Sequence, residues 1–266
     1  MIAPAPAKIN LALVVGPARA DGKHELLTVY QRVDLCDRIS VEPAPRTSVD
    51  GFDGDTIVRA ALEALPPFAW RVRIEKHIPV AAGLGGGSSD AATALRLANA
   101  QLPEPLTAER LHVLAARLGA DVPFFLVDGP QLGAGDGTEL EPLDLPQSFV
   151  VLLLLPHDAV KPSTAEVYAE FDRRGGEVGF DGRAAGLREA LAGIREPRDL
   201  AQLPTNDLAS SPHSGALLAE GAFRADVSGA GPTLYGLFEH RAEAARAARR
   251  LERLGRVWLA FPAWYG

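Results

Sequence analysis

The chain of 266 residues carries 47% apolar and 23% charged side chains and a formal net charge of −7. That balance excludes a disordered, collagen-like or membrane-embedded polypeptide and gives a globular protein long enough for two domains. The acid excess and the lack of any Lys/Arg block argue against a nucleic-acid partner, so an anionic substrate would need a locally positive field.

The N-terminal stretch MIAPAPAKINLALVV has no basic region followed by a cleavage site. The longest apolar run, Phe149 to Leu155, is far too short to cross a bilayer. The expectation is a cytoplasmic protein with no membrane partner. The single cysteine, Cys36, rules out an intrachain disulfide and a thiolate zinc cluster and reads as a packed apolar side chain.

In chain order, KINLALVV (8–15), YQRVDLCDRISVE (30–42) and RVRIEKHIPV (71–80) alternate apolar and polar residues as strands do. TIVRAALEAL (56–65) reads as a helix stopped by Pro66 and Pro67. SSDAATALRLANAQL (88–102) reads as a helix with Asp90 in its first turn, complementing the helix dipole. TAERLHVLAARL (107–118) gives another, with Leu111, Leu114 and Leu118 on one face and Gly119 at its end.

LDLPQS (143–148) marks a change of character, which divides the chain into domains over 1–146 and 147–266. A strand over 149–155, helices over 163–174, 183–193 and 214–221, two strands within 222–239, a helix over 241–254 and a last strand over 256–261 follow. This order predicts a split β-α-β, ferredoxin-like layer in which helices cover one face of an antiparallel sheet. The expected fold class is α+β, with a mixed α/β N-terminal domain.

Four glycines fall within five positions in PVAAGLGGGSSDAA (79–92), directly before a predicted helix. A linker of this composition would stay flexible and lead nowhere in particular. Glycines that open a helix instead let backbone N–H groups and the positive dipole end approach a phosphate closely, and Ser88 and Ser89 add hydroxyls. No lysine follows these glycines as a P-loop requires, and GLGGGS, GAGDGT and GAGPTL all lack the sixth-place glycine of a dinucleotide fingerprint.

This glycine stretch resembles the ATP-phosphate loop of the GHMP kinases. PAPAKINLAL (4–13) resembles their amino-terminal motif and VSGAGPTLYGLF (227–238) their carboxy-terminal glycine motif. Within that superfamily, PAKINLAL, DGKHELLTVYQRVDLCDRI, GLGGGSSDAA, GADVPFFL, GAGDGTELEPL and TNDL resemble, in order, the kinases of 4-diphosphocytidyl-2-C-methyl-D-erythritol. The resemblance implies a two-domain kinase with its site in the cleft between domains and ATP as donor. It also implies Mg2+ as companion ion, a small-molecule acceptor bearing a cytidine diphosphate, and a monomer or homodimer.

It further implies ATP binding by Pro79, Val80, Ala81, Ala82, Gly83, Leu84, Gly85, Gly86, Gly87, Ser88 and Ser89. The implied catalytic pair is Lys8 and Asp121, and the implied substrate contacts are Asn10, His24, Tyr30, Asp121 and Tyr168. By local pattern alone Asp121 is equally a helix cap, Asn10 a turn residue and the aromatics core. Ser228, Gly229, Gly231 and Thr233 fit either a site-closing loop or a plain hairpin turn. The resembled kinases carry a tyrosine before the histidine, where this chain has Lys23. Lysine offers charge in place of a flat stacking face, which leaves the phosphoryl-transfer groups untouched and reads first as a weaker-binding enzyme of the same activity and second as a GHMP-type kinase of another alcohol; a catalytically silent nucleotide-binding homologue, keeping the loop without the chemistry, is a separate alternative.

Overall fold

The computed structural model describes residues 1–54, 57–159 and 163–263. Thr56, the first residue of the predicted helix over 56–65, lies outside them. Two long strands, β1 (Ile2–Ala18) and β2 (His24–Pro43), form the hairpin on which the N-terminal half is built. After it come β3 (Ser48–Asp50), α1 (Ile57–Glu63), β4 (Trp70–Glu75), α2 (Gly86–Asn99), α3 (Ala108–Leu118), a 3-10 turn at Pro123–Leu126, β5 (Gln131–Ala134) and β6 (Glu139–Pro142). The sheet order is β3-β4-β2-β5-β6, with β1 paired to β2, and among the described residues only β3 and β4 run parallel.

The C-terminal half contains β7 (Val150–Pro156), α4 (Thr164–Arg173), α5 (Phe180–Gly193), α6 (Ser214–Ala219), β8 (Arg224–Val227), β9 (Leu234–Phe238), α7 (Arg241–Leu251) and β10 (Gly255–Ala260). Its four strands run antiparallel in the order β10-β7-β9-β8, which is the split β-α-β arrangement expected from the sequence. Alternation along β7 assigns its two faces. Val150, Leu152 and Leu154 meet α6 and α7 through Leu217, Ala244 and Leu251, whereas Val151 and Leu153 share a core with Ile9, Leu11 and Val14 of β1. No described helix is long and apolar enough to cross a membrane.

Three local expectations change in the structure. β1 does not alternate: Ala5 through Gly16 are buried without a break, because α2 and α5 both pack on the strand and the C-terminal core closes over it. A strand covered on both faces keeps no polar side. β4 stops at Glu75 rather than running on to 80, because the Asp37 carboxylate captures the backbone N–H groups of His77 (2.5 Å) and Ile78 (2.8 Å) and turns the chain. Finally, α2 begins at Gly86, two residues early, after Gly85 adopts a left-handed φ of 68°. That shift puts Asp90 in the second turn, where it is buried rather than set against the exposed dipole end.

Arg224 joins the halves. Its buried guanidinium donates to the carbonyls of Leu11 (2.7 Å), Leu203 (2.6 Å) and Pro204 (2.8 Å) and to the Tyr235 hydroxyl (3.1 Å). Asp226 lies 3.5 Å away as its counter-ion. A buried charge with this many partners cannot be removed without stranding them. Arg224→Met should therefore lower the unfolding free energy by about 3–5 kcal/mol, read as a fall in the urea midpoint with little change in slope.

Candidate active site

Both halves line a cavity of about 860 Å³, within the usual size for a small-molecule site. The glycine loop forms one wall. Pro79 through Ser88 line the cavity in sequence, and the start of α2 has no side-chain cap. Its first-turn N–H groups and dipole therefore remain available to an anion. Ser89 is different: it is fully buried beneath the loop and does not line the cavity.

The C-terminal half braces this loop from behind. The Ser228 hydroxyl donates to the Gly83 carbonyl (3.0 Å) and the Thr233 N–H to the Ala82 carbonyl (3.2 Å). Gly83 has φ +80°, and a Cβ there would lie 2.5 Å from the Ser228 carbonyl oxygen and 2.7 Å from that of Gly231, so glycine is required on both counts. Asn206 of the TNDL motif fixes the brace: its amide donates to the carbonyls of Val227 (3.0 Å) and Gly229 (2.6 Å). The local sequence around Asn206 carries no sign of this task, because both carbonyls it meets lie some twenty residues further on. Gly229 and Gly231 line the cavity, while Ser228 and Thr233 are buried supports.

The Lys8 ammonium, almost wholly buried, sits where three sequence motifs meet. It donates to Asn10 Oδ1 at 2.6 Å, lies 3.4 Å from Asp121 Oδ2, and is 3.4 Å from the place a Cβ on Gly229 would occupy. Its backbone N–H donates to the Leu84 carbonyl of the glycine loop at 2.9 Å. Asn10 in turn donates to Thr28 Oγ1 (2.8 Å), which fixes the amide with its oxygen toward the lysine. At this spacing the Lys8–Asp121 attraction is on the order of a few kcal/mol before desolvation, enough to hold the carboxylate at the cavity wall. Asp121 is not the cap of a regular helix here: it precedes the 3-10 turn, whose cap position is Val122. Arg32 secures that turn by donating to the Phe124 carbonyl (2.7 Å) and lying over the Phe124 ring.

Tyr30 stacks on Phe124 with ring centroids 4.8 Å apart. Burial, and then the charge of Asp121, push its phenol well above the ordinary value, so it faces the cavity as a neutral group. At the far end His24 lies against Tyr168 (4.7 Å) and shares a hydrogen bond with Asp172 (Nε2 to Oδ1, 2.8 Å). Tyr168 and Asp172 stand one turn apart on α4 and face the same side. Burial, then Asp121, raise the Tyr168 hydroxyl to about 12.

Two cavity residues found partners that no local pattern announces. Lys23, in the β1–β2 turn, pairs with Asp136 in the β5–β6 turn. Burial works to raise the Asp136 carboxyl, but the Lys23 ammonium and the Thr138 hydroxyl outweigh it and hold the group below its usual range. Lys76, just after β4, bridges Asp37 and Asp90, the latter at 2.8 Å, and also lines the cavity beside the loop. The lining thus carries Lys8, Lys23 and Lys76 against Asp121, Asp136 and Asp172. Lys8 and Lys76 are each matched by carboxylates, so any net positive field at the loop comes from the backbone N–H groups and the α2 dipole, in a protein that is negative as a whole.

Comparison with known proteins identifies the family. The GHMP kinases N terminal domain family matches residues 55–129, and the GHMP kinases C terminal family matches 215–257. The 4-diphosphocytidyl-2-C-methyl-D-erythritol kinase of Anaeromyxobacter sp. (strain Fw109-5) is 38% identical over 93% of this chain and 85% of its own length. That of Pelobacter propionicus is 38% identical over 96% of this chain and 95% of its own. A crystal structure of 4-(cytidine 5'-diphospho)-2C-methyl-D-erythritol kinase superposes with a TM-score of 0.77 at 36% identity, covering 99% of this chain and all of the other. A mevalonate kinase crystal structure shares the fold, with a TM-score of 0.75 at 13% identity. With its glycine loop, its Lys8–Asp121 pair and similarity along nearly its whole length to these enzymes, the chain belongs to the 4-diphosphocytidyl-2-C-methyl-D-erythritol kinase family of the GHMP kinases.

Proposed function

We infer that the protein transfers the γ-phosphoryl group of ATP to the 2-hydroxyl of 4-diphosphocytidyl-2-C-methyl-D-erythritol, a step of non-mevalonate isoprenoid synthesis. The observation that carries this is the contact of Asp121 with Lys8 beside an uncapped, glycine-rich helix start. The loop and the α2 dipole hold the phosphates. The acceptor oxygen attacks the γ-phosphorus, the bond to the ADP oxygen breaks, and Asp121 takes the hydroxyl proton, giving ADP and a phosphomonoester. Lys8 pairs with the Asp121 carboxylate and stabilises charge on the transferring group.

Asn10 orients Lys8 and keeps one amide hydrogen for the substrate. His24 offers a ring nitrogen to the cytosine edge in exchange for Asp172, and Tyr30 and Tyr168 form apolar walls. The described residues contain no group of three or more His, Cys, Asp or Glu able to hold a metal. Mg2+ fits as an ion carried on the ATP phosphates, since it commonly keeps several waters, and the Ser88 hydroxyl at the cavity wall could meet one of those waters. When bound it would neutralise phosphate charge. We place the two domains at 1–146 and 147–266 and the protein in the cytoplasm, as a monomer or homodimer.

An ADP-release assay with diphosphocytidyl-methylerythritol, mevalonate, homoserine and galactose as acceptors tests the substrate. Turnover is expected with the first, and activity confined to another would overturn it. Silence is disfavoured because Lys8 and Asp121 are both present and in contact. Asp121→Asn should cut kcat by about 10²–10⁴-fold while ATP still binds, and near-wild-type turnover would refute the base role. Lys23 favours keeping other acceptors in the assay, because an ion-paired ammonium stands where the resembled kinases have a ring. Lys23→Tyr should lower KM for the cytidine substrate; an unchanged KM would show that stacking is not what this site lacks.

A further inference from the structure

The cluster beneath the glycine loop has one carboxylate too many. Asp37 is fully buried and accepts three hydrogen bonds, from Lys76 and from the N–H groups of His77 and Ile78. Asp90 is equally hidden, yet accepts only from Lys76, on Oδ2, and its Oδ1 has no hydrogen-bond partner among the described residues. Two carboxylates thus share one ammonium. The other groups around them do not correct the balance: the Phe52 ring lies 5.7 Å from Lys76, the His77 side chain turns outward onto the Cys36 carbonyl, and Lys8 is committed to Asn10 and Asp121.

A surplus charge in such a place costs several kcal/mol unless it is neutralised, and Asp90, the less satisfied member, is where neutralisation is cheapest. Burial, and then the Asp37 charge, push its carboxyl up to about 7, against the pull of Lys76. Lys76 has three N–H donors, two of them spent on these carboxylates. It lines the nucleotide cavity with Nζ 3.3 Å from the place a Cβ on Gly86 would occupy.

Resting on the ATP site inferred above, we propose that Asp90 takes up a proton from solvent when nucleotide binds the glycine loop, so that Asp90 is a positioning residue whose protonation state sets how far Lys76 is freed toward the phosphates. Two effects act in the same direction. The incoming phosphates add negative charge near Asp90, and they draw Lys76 away from it; each favours the neutral acid. The cluster passes from a net charge of −1 to zero as the proton adds to the Asp90 carboxylate. The protonated form therefore binds nucleotide better. Affinity is highest and flat where Asp90 is already protonated in the free protein, falls as pH rises from about 7, and levels off once the bound form has also ionised.

The test is calorimetric titration of the full chain with ATP under excess magnesium, so that the nucleotide itself does not titrate, in two buffers of different ionisation enthalpy between about pH 6 and 9. Wild type should take up a measurable fraction of a proton, greatest just above neutrality, with Kd rising by at most about tenfold per pH unit. Asp90→Asn, an isosteric mimic of the neutral acid, should bind with no uptake and a flat Kd. Binding by wild type without proton uptake at any pH would overturn the proposal whatever the variant does, as would equal uptake in Asp90→Asn. Absence of ATP binding altogether would instead overturn the nucleotide site and, with it, this inference.

Discussion

A buried ammonium is the constraint around which this molecule is arranged. Lys8 is carried into the interior on a strand covered from both sides, and a charge there is tolerable only if it is paired and hydrogen-bonded. Its partners come from its own strand, from the turn after α3 and from the approach of the C-terminal glycine motif. Each would be unremarkable alone. Together they set the acid proposed to accept a proton beside the loop proposed to hold phosphate, so the requirement to neutralise one charge also assembles the proposed reacting groups.

The framework that makes this possible is a core shared between the halves. β1 gives Ile9, Leu11 and Val14 to a cluster that includes Val151, Leu153 and Tyr235 from the second sheet. Arg224 adds a polar bond by reaching the Leu11 carbonyl, and Asp207 accepts from the Val15 N–H at 2.9 Å. The strand bearing Lys8 and Asn10 is thus held by apolar and polar contacts from a segment some two hundred residues later. Small shifts there would displace the chemistry.

Much of the site was legible because its chemistry is local. Glycines before a helix announce an anion cradle, whereas Lys8 and Asp121 were named only by the motifs they stand in. The features that escaped depend on partners distant in sequence. Asp90 looked like a dipole-complementing residue, but the left-handed Gly85 started the helix early and turned the carboxylate inward to Lys76. The end of β4 was hidden because Asp37, on another strand, supplies the acceptor that stops it. Nothing within the first turn of the chain identifies Asp136 as the counter-ion of Lys23. Asn206 likewise reads as an ordinary polar residue until its amide is seen against the carbonyls of Val227 and Gly229.

The contact of Gly83 with Ser228 and Gly231 has a mechanical meaning. The face of the loop that would grip phosphate belongs to one half, and the surface that keeps the loop in shape belongs to the other. A hinge that swung the halves apart would take the backing from the cradle as it opened. The cradle proposed for phosphate therefore keeps its shape only while the two halves stay packed together, so the seam between them is as much a part of that cradle as the glycines are.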